Sequence, residues 1–229
     1  MMMSKNRKKI IQNIDFAKIY KPNDAINILK DNSFVKFDES LDVAINLRID
    51  PSKTDQNIRG VVNLPNGTGK KTIVAVMAKG DKAKESKDAG AEVVGDEDLV
   101  KEISDGKINF DILIATPDMM PQVGKIGKIL GPKGLMPNPK LGTVTQDVAK
   151  AISNVKKGQV QFKNDKAGIV HAGIGKLNFK SEHLFENLKV FFDVINKNKP
   201  ESHKGSFIKK VTIASTMGFG LEINVGELR

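Results

Sequence analysis

Hydrophobic and polar residues alternate along the two ends of the chain. In residues 41–49, apolar side chains at every second position are separated by residues such as Asp42, Asn46 and Arg48. A period of two is typical of a strand with one buried face and one face in water. The pattern returns in residues 159–163, 169–174, 207–213 and 221–225. Both ends of the chain therefore predict strands of a half-buried sheet.

Two helices are predicted beside these strands. Asn23 is a candidate N-cap for a short helix with Ala25, Ile26, Ile28 and Leu29 on its apolar side. Ser181 is a candidate N-cap for a longer helix. The longer helix has an apolar stripe at helical spacing, predicted to be core, made of Leu184, Phe185, Leu188, Phe191, Phe192 and Ile195. Residues 5–13 are read as a basic helix or arm.

The middle of the chain follows a different pattern. Short apolar runs at 73–77, 93–94 and 112–115 alternate with polar, helix-like segments, which is the spacing of βαβ units. Continuous apolar runs are typical of parallel strands covered by helices on both faces. We therefore predict a small doubly wound α/β domain at 67–159, inserted into a discontinuous domain of residues 1–66 plus 160–229.

The two predicted crossings between these domains are residues 67–71 and 156–159. Both contain Gly and Lys. A flexible paired hinge and two solvated loops of one rigid domain are equally compatible with this composition.

Charge and composition narrow the choice of partner. The chain of 229 residues has a formal net charge of +10, which favours a polyanion, with nucleic acid ahead of a membrane surface. The flanks hold 22 basic and 15 acidic residues and the middle 15 and 12, so the flanks are the more basic domain. No apolar stretch has the length of a membrane span, and no export signal is recognised. The chain also contains no cysteine, as is common in a reducing cytoplasm. We therefore predict a soluble, cytoplasmic protein.

The candidate catalytic motifs lack the residue spacing that nucleotide or metal binding requires. Residues 66–72 resemble a phosphate-binding loop, but Leu64 stands where that loop requires Gly. The glycines of residues 124–134 lack the Gly-x-Gly step of a dinucleotide site. His171, His183 and His203 have no metal-ligand spacing, and the acidic residues 96–98 are better explained as helix capping. We predict a protein that is not an enzyme and has no cofactor and no metal.

Three segments are candidates for binding. Lys36 and Phe37 place a cation beside an aromatic ring, although a core Phe with a solvated Lys fits equally well. Residues 215–220 form either a glycine-containing hairpin turn or a loop that approaches ribose. Residues 131–140 form a stiff, basic loop, either a contact surface or a plain connector.

Taken together, several motifs resemble those of the bacterial ribosomal protein L-one family. They are FDESLDVAINL at 37–47, DP at 50–51, DQNIRG at 55–60, LPNGTGK at 64–70, ILGPKGLMPNPK at 129–140, KAGIVH at 166–171 and STMG at 215–218. They occur in order over nearly the whole chain.

The resemblance implies an α+β domain made from both termini, with an inserted Rossmann-like three-layer α/β domain. It implies a constituent of the large (50S) ribosomal subunit that binds the mobile stalk of its rRNA and assists release of deacylated tRNA from the exit site. It also implies repression of the protein's own operon mRNA. The RNA-binding residues carried over by motif are Lys36, Phe37, Ser40, Lys166, Gly168, His171, Thr216, Met217 and Gly218.

Three residues depart from the family pattern. Phe219 and Gly173 stand where Pro is common, and Arg48 stands where a small residue is usual. The first departure bears on the rigidity of residues 216–218. From the residues alone, two other classes of function remain compatible with the chain. One is a nucleotide-dependent enzyme in the βαβ segment, and the other is a general DNA-compacting or chaperone-like basic protein.

Overall fold

The computed structural model describes residues 14–200 and 205–228. The basic helix predicted for residues 5–13, and His203, lie outside the described residues. The helices are α1 (Pro22–Asp31), α2 (Asp81–Asp88), α3 (Glu97–Ser104), α4 (Met120–Lys125), α5 (Gly127–Leu130), α6 (Val148–Lys156) and α7 (Ser181–Lys197). The strands are β1 (Ser40–Leu47), β2 (Arg59–Asn63), β3 (Val74–Met77), β4 (Val93–Gly95), β5 (Ile112–Ala115), β6 (Gln159–Lys163), β7 (Ile169–Lys176), β8 (Ile208–Ser215) and β9 (Gly220–Ile223).

The chain divides into two compact units. The first combines the described residues up to Lys70 with those from Val160 onward, and the second is the continuous segment Lys71–Gln159. Both units mix helices with strands, so the predicted α/β class is confirmed.

The main sheet of the first unit has the strand order β7-β1-β8-β9, with each neighbouring pair antiparallel. Side chains at alternate positions are buried, as in β1, where Leu41, Val43 and Ile45 are at most 1% exposed. These residues share one hydrophobic core with α1 and α7. On the other face, Asp42 and His171 are exposed, which confirms the predicted wet face.

Within the described residues, α1 and α7 of the first unit confirm the two helices predicted there, but their predicted N-caps are wrong. Helix α1 begins at Pro22 after the N-cap Lys21, so Asn23 lies inside the first turn. A proline at the first helical position needs no N–H and has a φ already suited to a helix, which explains the earlier start. Helix α7 has Lys180 as its N-cap, and the Ser181 hydroxyl donates instead to the Asn27 side chain at 2.7 Å.

A second, two-stranded sheet pairs β2 with β6. Strand β6 has the predicted bounds, whereas β2 has no counterpart among the predicted strands. Three of its five residues, Gly60, Val61 and Val62, form a run without polar side chains that is too short to show a clear period of two. Pairing with a strand far along the chain is therefore what defines it.

The second unit contains a parallel sheet in the order β4-β3-β5. Ala75 and Met77 of β3 belong to one core cluster with residues of α3, α4 and α5. Val74 and Val76 belong to another with residues of α6. Helices thus cover both faces of β3, and the predicted three-layer, doubly wound arrangement is confirmed.

Capping by the acidic residues 96–98 is only partly confirmed. Asp96 is the N-cap of α3 and Glu97 and Asp98 lie in its first turn, where carboxylates favour the helix dipole. The Asp96 side chain, however, accepts no hydrogen bond from the helix. It lies 3.6 Å from the Lys79 ammonium instead.

A buried amide, Asn187 of α7, joins three segments of the first unit. Its side chain is fully buried. Its Nδ2 donates to the carbonyl oxygens of Gly67 at 2.9 Å and Ile174 at 2.8 Å, and its Oδ1 accepts from the Asn66 amide at 3.1 Å. The segment that resembles a phosphate loop is thus attached to α7.

We expect Asn187→Leu to lower the free energy of unfolding by about 2–4 kcal/mol, because one buried and two partly buried backbone groups would lose a hydrogen-bond partner. Urea denaturation followed by circular dichroism measures this. Lys189→Ala, an exposed change on the same helix, is the control and should change stability by less than about 0.5 kcal/mol. An equally small loss for Asn187→Leu would contradict this role.

Candidate nucleic-acid interface

The predicted binding residues in β1 and β7 lie along the exposed face of the main sheet. Ser40 begins β1, and His171 of β7 is the register partner of Ala44 in β1. At the far end, the Leu47 amide donates to the Gly168 carbonyl at 3.0 Å. With a rise of about 3.3 Å per residue, the set from Ser40 to Gly168 extends over roughly 23 Å.

The loop after β8 is attached to the start of β1. The Ser40 amide donates to Thr216 Oγ1 at 2.9 Å, and the Thr216 hydroxyl is 3.4 Å from the Ser40 carbonyl oxygen. The adjacent Met217 side chain is 48% exposed. The predicted residues Ser40, Thr216 and Met217 are therefore brought together, with a flexible apolar side chain directed to solvent beside two hydroxyls.

The carboxylate of Glu39 holds residues 215–218 in place. The sequence pattern did not predict this role. The residue is 2% exposed. Its carboxylate accepts hydrogen bonds from the Met217 amide at 3.1 Å, the Ser33 hydroxyl at 2.9 Å and the Ser215 hydroxyl. Burial raises the pKa of Glu39, but these hydrogen bonds outweigh it and leave the pKa below its ordinary value.

Gly218 is required by a close approach. A Cβ built at this position would lie 2.2 Å from the Ser215 hydroxyl oxygen, a distance that no side chain tolerates. The next residue, Phe219, is 8% exposed and meets the ring of Phe16 edge to face at 5.6 Å. Phe219 thus anchors this loop by packing.

Lys36 and Phe37 lie shortly before β1. Both are exposed, with 55% of Phe37 open to solvent, so this ring is not a core residue. A second cation, which the sequence did not single out, lies at the same end of the sheet. Lys176 Nζ donates to the Ser40 hydroxyl at 2.8 Å and lies 3.4 Å from the Asp38 carbonyl oxygen.

The opposite end of the face is organised by Asp165. Its Oδ1 accepts from the amides of Ala167 and Ile169, both at 2.8 Å, which shapes a turn that Gly168 completes with φ +74°. The Ile169 hydrogen bond is the main reason that the pKa of Asp165 lies below its ordinary value. His171 Nε2 lies 3.6 Å from this carboxylate. Lys166, at the tip of the turn, is exposed.

The loop of residues 131–140 and the possible metal sites give less support for a binding function than the main sheet does. In the loop of residues 131–140, Met136 is 42% exposed, whereas Leu135 packs against the core of the second unit. Within residues 14–200 and 205–228, no three acidic, histidine or cysteine side chains are grouped to hold a metal ion. No helix in this same part of the chain combines the length and apolarity needed to cross a membrane.

A comparison with known protein families matches residues 29–219 to the family described as Ribosomal protein L1p/L10e. The match covers most of both units. It includes every predicted binding residue from Lys36 to Gly218.

The lowered pKa of Glu39 predicts a pH-dependent stability. Its charged form stabilises the fold above its ordinary pKa, and this contribution is lost as the pH falls through the lower native pKa. We expect Glu39→Gln to lower the free energy of unfolding by about 1.5–3 kcal/mol at pH 7, the range for a hydrogen bond to a charged group.

The difference between wild type and Glu39→Gln should shrink once the pH falls below about 4. Urea denaturation at several pH values measures it. Glu227→Gln, which changes an exposed carboxyl, provides the comparison. A difference that stayed constant down to pH 3 would show that the Glu39 charge is not what holds the loop.

Proposed function

The chain belongs to the Ribosomal protein L1p/L10e family, and from this membership we propose that it binds the mobile stalk of large-subunit rRNA through the open sheet face of its first unit. Membership supports a structural, rRNA-binding role in the ribosome. The stalk as the target and the open face as the binding surface are our proposals.

The observation that carries this proposal is the attachment of Thr216 to Ser40 at the edge of the exposed face. It fixes an exposed Met217, two hydroxyls and the nearby Lys176 in one place. RNA is recognised by shape and by ribose and phosphate contacts, for which hydroxyls and cations are suited partners. The remaining proposed binding residues are Lys36, Phe37, Lys166, Gly168, His171 and Gly218.

The finer biological roles are also proposed. Held on the cytoplasmic ribosome by the stalk, the protein would accompany stalk motion and assist release of deacylated tRNA from the exit site. A messenger RNA that mimics the stalk would occupy the same face, so the free protein would repress translation of its own operon. In this proposal the first unit is the RNA-binding domain, and binding rather than catalysis is the function.

Two other classes of function are separated by direct measurements. A nucleotide-dependent enzyme in the second unit would bind ATP or NAD saturably, although the spacing of its glycines is against this. A general DNA-compacting protein would bind duplex DNA as well as stalk RNA, with steep salt dependence. Competition between a stalk fragment and duplex DNA therefore tests the proposal itself, and equal competition would refute it.

We expect Thr216→Val and Met217→Asp each to weaken binding of a stalk-RNA fragment by about 1–3 kcal/mol, because each removes or desolvates a contact at the Ser40 end of the proposed surface. Filter binding or fluorescence titration measures the affinity. Met136→Asp is the matched control, since that methionine is similarly exposed but belongs to the second unit. Unchanged affinity in a folded Met217→Asp variant would exclude this loop from the surface.

Lys166 is proposed to neutralise phosphate. Lys166→Ala should weaken binding of stalk and unrelated RNA alike and reduce the slope of log Kobs against log salt by about 1. Lys133→Ala and Lys140→Ala, in the exposed loop of the second unit, should leave the affinity for the isolated stalk nearly unchanged. The proposed surface would be misplaced if these two variants lost more affinity than Lys166→Ala.

A further inference from the structure

Two of the described methionines, Met136 and Met217, are largely open to solvent. Their exposed fractions are 42% and 48%, whereas Met77 and Met119 are fully buried. A thioether in water is open to oxidants, and one inside a core is shielded from them. Met217 belongs to the proposed RNA-binding surface, and Met136 lies in the second unit. The same oxidation would therefore change the RNA-binding surface at only one of the two exposed methionines.

The chain on either side of Met217 is fixed by hydrogen bonds. Its own amide donates to the buried Glu39 carboxylate at 3.1 Å. Before it, Thr216 Oγ1 accepts from the Ser40 amide at 2.9 Å. After it, the Gly218 amide donates to a carbonyl oxygen of the same loop at 3.2 Å. The backbone of the loop therefore presents the thioether to solvent in one defined place.

These hydrogen bonds also occupy the donors that a more polar side chain would need. Oxidation of a methionine replaces an apolar thioether by a polar sulfoxide, whose oxygen accepts hydrogen bonds. The amides of Ser40, Met217 and Gly218 already donate elsewhere. The Lys176 ammonium is bonded to the Ser40 hydroxyl. A sulfoxide oxygen covered by RNA would lose its water without gaining a partner from these groups, and a buried acceptor without a partner is costly.

We propose that Met217 is an oxidation site, at which a hydroperoxide such as hydrogen peroxide converts the thioether to the sulfoxide and thereby weakens RNA binding reversibly. The inference rests on the proposed function, because the same surface must hold the RNA. It adds redox control to that surface. Bound RNA would shield the sulfur, so free protein would be the form that is oxidised.

The chemical step is an oxygen transfer to sulfur. The thioether sulfur donates an electron pair to one peroxide oxygen, so that the S–O bond forms and the O–O bond breaks. The departing oxygen takes up the proton of the transferred one and leaves as water. Sulfur is oxidised and the peroxide is reduced. A methionine sulfoxide reductase reverses the step with a dithiol, which becomes a disulfide while the oxygen leaves as water.

Mass spectrometry locates the added oxygen. The full chain without RNA is treated with hydrogen peroxide, and its peptides are quantified over time. We expect Met217 and Met136 to be oxidised at similar rates and well before Met77 and Met119, because only the first two are open to solvent. Oxidation of Met217 no faster than that of the two buried residues would overturn the inference.

Binding measurements isolate the effect of Met217. Wild type, Met217→Leu and the matched control Met136→Leu are titrated with a stalk fragment before and after the same peroxide treatment. We expect treated wild type and treated Met136→Leu to bind about 10- to 100-fold more weakly than before, the range for an acceptor buried without a partner. Met217→Leu, whatever its own affinity, should bind equally before and after treatment. A loss of the same size in Met217→Leu would overturn the inference.

Reduction tests whether the change is reversible. Methionine sulfoxide reductases for both sulfoxide epimers, supplied with a dithiol, should restore the affinity of treated wild type. Circular dichroism and thermal unfolding establish that the treated protein is still folded. A loss of affinity that persists after the sulfoxide at Met217 has been reduced would contradict the inference.

RNA protection tests the same contact from the other side. A saturating stalk fragment should slow the oxidation of Met217 and leave that of Met136 unchanged. An unrelated hairpin of equal length, at the same concentration, should protect Met217 less. If Met217 were oxidised equally fast with and without bound stalk, its sulfur would remain in water in the complex, and the inference would be wrong.

Failure of the proposed function can be distinguished from failure of this inference. Untreated wild type that does not prefer the stalk over the hairpin would contradict the proposed function. Untreated wild type that prefers the stalk, together with a folded protein that keeps its affinity when Met217 is oxidised, would contradict only the inference about Met217.

Discussion

The pairing of β1 with both β7 and β8 is the constraint on which the first unit depends. Strand β1 comes from the first quarter of the chain, and its two neighbours come from the last third. This pairing buries the apolar side of β1 in a core shared with α1 and α7. It also places Ser40 beside Thr216 and Ala44 beside His171, so the candidate surface exists only where distant segments meet.

Buried polar groups then fix the local geometry that strand pairing leaves open. Glu39 connects Ser33, Ser215 and Met217, and Asn187 connects α7 with Asn66 and Ile174. Each such group must be satisfied once it is removed from water. An exposed loop such as 215–218 can therefore keep one shape although few of its own side chains are buried.

The sequence predicted those parts of the fold that repeat along the chain. Alternation in residues 41–49 and the apolar runs of β3 and β5 were sufficient for both kinds of sheet. The candidate binding residues came from motif resemblance, because an exposed Lys166 or Met217 has no periodic signal. The contacts of Glu39 with Met217 and of Asn187 with Asn66 were not predictable, since each joins residues more than a hundred positions apart.

The division of the chain also sets an order of synthesis. The second unit is continuous, from Lys71 to Gln159, so all its strands have been translated before β7 exists. The main sheet of the first unit must wait for β8 and β9. A nascent chain therefore carries β1 without either of its neighbours for most of its elongation, and the open face of the main sheet is complete only when translation is almost finished.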